Sequence, residues 1–274
     1  MKVIGVIPAG RIQHMKILFP YLLNQTGVDE FVIWENTHNQ ADIDFMHDFA
    51  GRHDNFSVQP LPCGGIEGSG SIRHFMRFCC DPDVIYVRID DDICWMANDC
   101  LKTLVDFRIN NPEHFLVYSN IINNNICSYL HQSFGSMTRN SATLTYESSC
   151  SDAMANPDVA CEAHDCFKQH YQNNTLDAYK FKQWIDLHNT RICINLISWF
   201  GKDMHQDGKE FENKNEELEM SVRLPGEKQM TKAICGESLA VHYSYGTQLH
   251  GVPSEYLNWY ESISPTVQSK SSTT

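Results

Sequence analysis

The chain has 274 residues, 42% of them apolar, enough for one large α/β domain or two small ones. Its 34 acidic side chains against 21 basic ones give a formal charge of −13, which argues against a basic nucleic-acid surface and against anionic lipid partners. A nucleotide substrate stays compatible with this charge, because a bound cation inverts the local field. The 11 cysteines form no CxxC pair and read as reduced thiols, not as a disulfide framework. The opening MKVIGVIPAGR is too quickly interrupted for a signal peptide, and no apolar run approaches the roughly 18 residues of a membrane span. These features predict a cytoplasmic protein with no membrane span and no nucleic-acid partner.

In chain order, Lys2 to Ile7 predicts a buried strand, followed by a tight loop Pro8-Ala9-Gly10-Arg11 and a helix over Ile12 to Leu23. Glu30 to Glu35 is a second strand. Thr37 or Asn39 is placed to cap a helix running to about Gly51. Asn55 to Leu61 is a third strand, Gly68 to Gly70 a loop, and Ile72 to Cys80 a helix stopped by Asp81-Pro82. Val84 onward is a fourth strand, Asn98 to Ile109 a helix, and Phe115 to Ser119 a fifth strand. The alternation predicts a doubly wound, mostly parallel sheet flanked by helices.

The second half is less regular. Asn120 to Ser151 predicts loops and short irregular pieces, and Cys161 to Ile185 two helical segments broken near Asn173-Asn174. Arg191 to Phe200 reads as a strand, Asp203 to Asn215 as an exposed loop, and Glu216 to Leu224 as a short helix closed by Pro225-Gly226. Leu239 to Tyr245 is the last strand, and the polar residues after Ser262 predict a disordered tail. The organisation is thus one domain over 1–262, with a regular βα half (1–120), a less regular half (121–262) and a tail over 263–274, the two halves being those to which the resemblance given below assigns nucleotide-sugar and acceptor binding.

The chemistry concentrates in VIYVRIDDDICWM, Val84 to Met96. An apolar strand ends in Asp90, Asp91 and Asp92, and an apolar run returns at once. Three adjacent carboxylates repel, so a fold keeps them at a strand end only with a positive partner. A hard divalent cation is the usual one, and open α/β sheets place ligands at such strand ends. The bland alternative is a solvated charged loop, which the apolar flanks disfavour. Arg88, inside the strand, is suited to a structural pair with a neighbouring carboxylate. Cys161, His164 and Cys166 offer at most three soft ligands and make a poor zinc site.

The acidic triplet after a fourth βα unit resembles the Asp-x-Asp motif of GT-A nucleotide-sugar glycosyltransferases. The order VIPAGR, VIWENT, IYVRIDDDI, FLVYSNIINN, AVHYSYGTQ is similar to a group of glycosyltransferase-like proteins of bacteria and large DNA viruses of algae. The resemblance covers about Met1 to Tyr260; a viral member would work in the host cytoplasm. It implies a GT-A fold, Mn²⁺ or Mg²⁺ as cofactor, a nucleoside diphosphate sugar donor, UDP-linked, and a glycan or glycoprotein acceptor.

By the same resemblance Asp92 would bind the metal directly with His242 as a further ligand, Asp90 would bind it through water or face the ribose, and Asp91 would contact metal or sugar. Pro8, Ala9, Gly10 and Arg11 would lie at nucleobase, ribose and phosphate, with Thr37 adding a base or ribose contact. Arg73 would face the diphosphate. An inverting enzyme needs a base to deprotonate the acceptor hydroxyl. Glu217 is the first choice and Glu216 the second, with Asp152 and Glu162 as alternatives; a retaining mechanism would need none. Asn120 to Asn125 lies where amides read sugar hydroxyls, or serves structure. The segments Cys63 to Ser71 and Ser133 to Asp158 are candidates to close over a donor. Two rivals stand beside this reading: a sugar-nucleotide nucleotidyltransferase, for which PAGR is too short, and a non-catalytic glycan-binding protein on the same fold.

Overall fold

The computed structural model describes residues 1–62, 68–146, 153–204, 211 and 215–266. The first half follows its apolar alternation: β1 (Lys2–Ala9), α1 (Ile12–Asn24), β2 (Glu30–Glu35), α2 (Gln40–Ala50), β3 (Phe56–Pro60), a 3-10 turn Gly68–Ser71, α3 (Arg73–Met76) and β4 (Val84–Ile89). Next come β5 (Ile93–Met96), α4 (Cys100–Asn110), β6 (His114–Ile122), α5 (Asn125–Phe134), α6 (Pro157–Gln172), β7 (Gln183–Asp186) and β8 (Leu196–Phe200). A helical segment over 216–228 leads into β9 (Thr231–His242), and α7 (Ser254–Ile263) ends the described chain.

Among the described residues these strands form one sheet in the order β3-β2-β1-β4-β8-β6-β9-β5, with β7 also paired to β9. The pairs β1–β2, β1–β4, β2–β3 and β6–β9 are parallel. The pairs β4–β8, β6–β8, β5–β9 and β7–β9 are antiparallel. The expectation of a mostly parallel sheet is therefore corrected: the sheet is mixed. Parallel pairing holds where strand and helix alternate, and fails where the chain inserts β5, β7 and β8, which return without full helical crossovers. The arrangement is an α/β fold, broadly GT-A-like, with helices on both faces.

Strand side chains alternate between two apolar cores. Ile85, Val87 and Ile89 of β4 pack with Met15, Leu18 and Leu22 of α1 and Leu101 and Leu104 of α4 on one face. Val84 and Tyr86 pack with Phe75 and Met76 of α3, Ile126 and Leu130 of α5, and Met220 and Leu224 on the other. Every residue of β4 is buried, as a strand covered on both faces requires.

Several local expectations change. The Asn120 to Ser151 stretch holds a regular helix, α5, capped by Asn124, whose side chain accepts from the Ile126 and Cys127 N–H groups, and closed by Gly135 at φ +82°. After α6 the chain makes a 3-10 turn, Leu176–Tyr179, and then strand β7 in place of a second helix. Pro225-Gly226 does not stop the late helix: Glu216–Leu218 is α-helical, Glu219–Arg223 is π-helical and Leu224–Lys228 is α-helical, so the change of helical winding falls just before Pro225. Helix α7 runs to Ile263, one residue into the expected tail, whose residues 267–274 lie outside the described ones, as do residues 63–67 and 147–152 of the two segments expected to close over a donor, Asp152 among them. Among the described residues no helix is long and apolar enough to cross a membrane. Among the described residues no two cysteines form a disulfide with one another.

Candidate metal centre

Asp90 follows the last residue of β4, and the chain reverses at once into β5, with the Ile93 N–H donating to the Asp90 carbonyl (3.2 Å). This tight turn splits the triplet. Strand β5 pairs antiparallel with the end of β9, setting Ile93 opposite His242, and the Tyr243 N–H donates to the Asp92 carbonyl (2.9 Å). Strand register thus delivers a histidine from 150 residues downstream. Asp90, Asp92 and His242 each offer a ligand atom, all within 4.8 Å of one another.

The donor set fits a divalent cation: two carboxylates and one imidazole suit Mn²⁺, and the oxygens also suit Mg²⁺. His242 Nδ1 lies 3.2 Å from the Asn123 carbonyl, which only accepts, so Nδ1 carries a hydrogen and Nε2 is the atom turned toward Asp92 Oδ1 (3.3 Å). Burial would lower the His242 pKa, but Asp92 and then Asp90 raise it above its ordinary value. Burial would raise Asp92, but Arg11 and His242 outweigh it and hold Asp92 below the usual carboxylate range. Burial pushes Asp90 up, and Arg88 offsets only part of this.

Asp91 turns the other way. It accepts the Gly10 N–H at 3.0 Å and pairs with Arg11, whose Nε lies 3.1 Å from Oδ1. Arg11 Nη2 also reaches Asp92 Oδ2 at 3.0 Å. The middle carboxylate therefore braces the loop after β1. Gly10 is required there by space: a Cβ would sit 2.6 Å from the Asn36 carbonyl oxygen. That loop is held from behind by Asp42, which accepts the Ile12 N–H (3.0 Å) and the Thr37 hydroxyl (3.1 Å).

Around the cluster lies a cavity of about 440 Å³. Of the residues singled out from sequence, Pro8, Gly10, Arg11, Asp90, Asp91, Asp92, Glu216, Glu217 and His242 line it. Three do not. Ala9 is fully buried in the core, Thr37 is turned to Asp42, and Arg73 Nη1 donates to the Gly70 carbonyl (2.5 Å). The Asn123-Asn124-Asn125 amides are buried and bonded to protein, which corrects the reading that they face sugar hydroxyls. His164 bonds Tyr260 (2.8 Å) and the Tyr243 carbonyl (2.8 Å), an arrangement of a core histidine.

Arg88 makes the expected structural pair, with Nη2 2.9 Å from Asp90 Oδ1, and the same nitrogen lies 3.8 Å from Glu216 Oε1. Glu217 Oε1 is tied to Arg191 Nε at 2.5 Å. Burial raises the Glu216 pKa, with Arg88 offsetting in part. Sequence reasoning missed Asn195 and Ile194, which also line the cavity, beside Ser244 and Tyr245 of the late HxS strand. Asn195 sits in an apolar run, RICINLISWF, and nothing in its neighbourhood marks it; only the pairing of β8 with β4 brings it to Asp90.

No family model and no curated protein matches the chain. Among solved structures, 4-diphosphocytidyl-2C-methyl-D-erythritol synthase is similar at a TM-score of 0.32 and 16% identity, over 42% of this chain and 59% of that one. The S. aureus TarS structure, residues 1–349, gives 0.48 and 11% identity over 98% of this chain and 67% of that one. CMP:2-keto-3-deoxy-manno-octonic acid synthetase complexed with CTP gives 0.49 and 11% over 96% and 100%. At these scores and identities the likenesses assign neither activity nor substrate. What stands is an α/β, broadly GT-A-like fold with a mixed sheet and a largely buried Asp-Asp-His cluster that could hold a metal ion.

Proposed function

We propose that this chain is a metal-dependent glycosyltransferase that moves a monosaccharide from a UDP-linked donor to a glycan hydroxyl with inversion. The observation that carries the reading is the Asp90–Asp92–His242 cluster in the wall of a cavity that also holds two glutamates. A divalent cation held there supplies Lewis-acid stabilisation of a leaving diphosphate. The donor side is the loop Pro8 to Arg11, where Gly10 leaves the backbone open to close approach and Arg11 supplies positive charge. The UDP assignment, and kinship with the bacterial and algal-virus group, rest on the motif resemblance.

The proton of the acceptor hydroxyl goes to a carboxylate across the cavity. Glu217, the first choice from sequence, is occupied by Arg191. Glu216 is the better base: its closest described cation is 3.8 Å away, and burial raises its proton affinity toward the working range. Arg88 stands between Asp90 and Glu216, so it screens the metal side from the base side.

The test is calorimetric titration of UDP, GDP and UTP, each with Mn²⁺ and with EDTA, on wild type and Asp92→Ala. Micromolar UDP binding that needs Mn²⁺ and is lost in Asp92→Ala supports the transferase. Binding that ignores both metal and Asp92 refutes it, and a strong preference for UTP moves the assignment to a nucleotidyltransferase.

A further inference from the structure

We infer that Asn195, held by Asn124 and Tyr245, is a positioning residue that sets the Asp90 carboxylate for metal binding. The inference rests on the reading of Asp90, Asp92 and His242 as a metal centre and goes beyond it to a residue that is not a ligand.

The hydrogen bonds fix the Asn195 amide without ambiguity. Its Oδ1 accepts from two donors, Asn124 Nδ2 (3.1 Å) and the Tyr245 hydroxyl (3.1 Å). Asn124 has no choice in this. Its own oxygen caps α5, accepting from Ile126 N (3.2 Å) and Cys127 N (3.3 Å), so only its NH₂ faces Asn195 and the Cys193 carbonyl (3.0 Å). Asn195 Nδ2 must then face Asp90, and it donates to Oδ2 at 3.2 Å. Asn195 also meets Asp90 through the backbone, its carbonyl accepting the Asp90 N–H (2.9 Å).

The need for this arm comes from Arg88. The guanidinium holds Asp90 Oδ1 with Nε (3.0 Å) and Nη2 (2.9 Å), and a guanidinium fork favours taking both oxygens of a carboxylate. Arg88 is 3% exposed, so solvent does not weaken that pull. Asn195 holds Oδ2 on the other side, keeping the carboxylate plane turned to the cavity and its remaining lone pairs available. Asn195, Asn124 and Asn125 are 4%, 1% and 0% exposed, and burying amides is unfavourable unless each bond is made, so the chain uses direction here where apolar packing would have sufficed for stability. Asn125 is the internal contrast. It fastens the same loop through the Arg191 carbonyl (3.0 Å) and the Cys193 N–H (3.0 Å), while the side-chain bonds of Asn195 go to Asn124, Tyr245 and Asp90.

The experiment measures Mn²⁺ affinity without nucleotide, by loss of the free-ion electron paramagnetic resonance signal, with a thermal melt of each variant. Asn195→Ala is expected to weaken Mn²⁺ by about 10- to 100-fold. Asn124→Ser keeps a helix-capping oxygen and drops the donor, and Tyr245→Phe drops only a hydroxyl; both are expected to lose affinity in the same direction and by less. Asn125→Ser is expected to bind Mn²⁺ within about twofold of wild type, below the losses typical of such outer partners. An equal loss in Asn125→Ser shows general loosening of the loop and overturns the inference, as does unchanged affinity in Asn195→Ala and Tyr245→Phe. If Asn195→Ala fails to fold, Tyr245→Phe decides. Wild type that binds no Mn²⁺ refutes the metal centre itself, and the positioning role with it.

Discussion

Replacing Arg11 by Met removes the cation that joins Asp91 to Asp92, and the structure sets the size of the effect. An exposed ion pair contributes about 0–1 kcal/mol, whereas stripping one partner from a buried pair costs about 3–5 kcal/mol. Arg11 lies between these limits: its side chain is 39% exposed, while those of Asp91 and Asp92 are 6% and 5% exposed. Each carboxylate keeps another donor, the Gly10 N–H at 3.0 Å and His242 at 3.3 Å. The expected loss is about 2 kcal/mol, roughly 4–8 °C in Tm for a chain of this size. Metal narrows the gap. A ligand at about a hundredfold above its Kd stabilises the native state by about 2.7 kcal/mol, and in Arg11→Met no guanidinium competes for Asp92. The variant is therefore expected to melt below wild type in EDTA and to gain more from each increment of Mn²⁺. Differential scanning fluorimetry over a Mn²⁺ series measures both. Equal melting in EDTA would refute the energetic role of the pairs. An equal or smaller Mn²⁺ gain would show that Arg11 and the cation do not share carboxylates.

Three further outcomes are expected. Gly10→Ala places a methyl 2.6 Å from the Asn36 carbonyl oxygen, a backbone atom that cannot turn aside; it should cost about 1–3 kcal/mol in urea unfolding and weaken UDP·Mn²⁺ binding by calorimetry. Lys232→Met leaves Asp186 buried without its cation (3.0 Å in the wild type) and frees the Thr190 carbonyl, at a cost of about 3–5 kcal/mol by urea unfolding. Acid should destabilise the fold through His131 and His164, whose pKa values burial lowers to about 3 and about 4. Between pH 6.5 and about 4 the unfolded chain binds these two protons and the folded chain does not, so stability falls as pH falls. Each histidine contributes about 1.4 kcal/mol of loss by pH 5.5, measurable as a difference in urea unfolding free energy between pH 7.5 and 5.5.

Local periodicity made the first half of the fold legible. β2 lies where EFVIWE places it, and α1 and β3 end within a residue or two of their apolar runs, because each element there is bounded by a turn residue. The second half was legible only in part, since its elements are defined by partners. Ile93–Met96 is four apolar residues with no turn before it except the aspartates themselves, and it is a strand because β9 lies beside it. Gln183–Asp186 carries a polar residue at each end and is a strand because Lys232 and its neighbours offer a free edge. The run of asparagines, which in isolation suggests a loop, opens a helix because one of them caps it.

The site divides in the same way. Acidic residues at a strand end announce themselves, since charge repulsion demands a partner, whereas His242 is marked only by the motif resemblance, its aromatic strand being equally suited to a core histidine. What no spacing rule separates is the labour within the triplet. Successive side chains in a turn point in different directions, so Asp90 and Asp92 converge while Asp91 faces Arg11 and Gly10. The same holds for the two glutamates: adjacency made them equivalent in sequence, and Arg191, 26 positions away from Glu217, makes them unlike. In both cases an arginine decides which carboxylate is committed to the scaffold and which is left for chemistry. The sharpest expression of that rule is at Asp90, which, like Asp92 beside Arg11, is both a candidate ligand and the partner of an arginine. Arg88 claims one of its oxygens and Asn195 holds the other, so its availability to a cation is set by the balance between a charged fork and a neutral amide. Arg88→Lys, which keeps the charge and loses the fork, should therefore soften the dependence of Mn²⁺ affinity on Asn195. A double-mutant cycle between the two positions that shows no coupling in Mn²⁺ binding would rule out that balance.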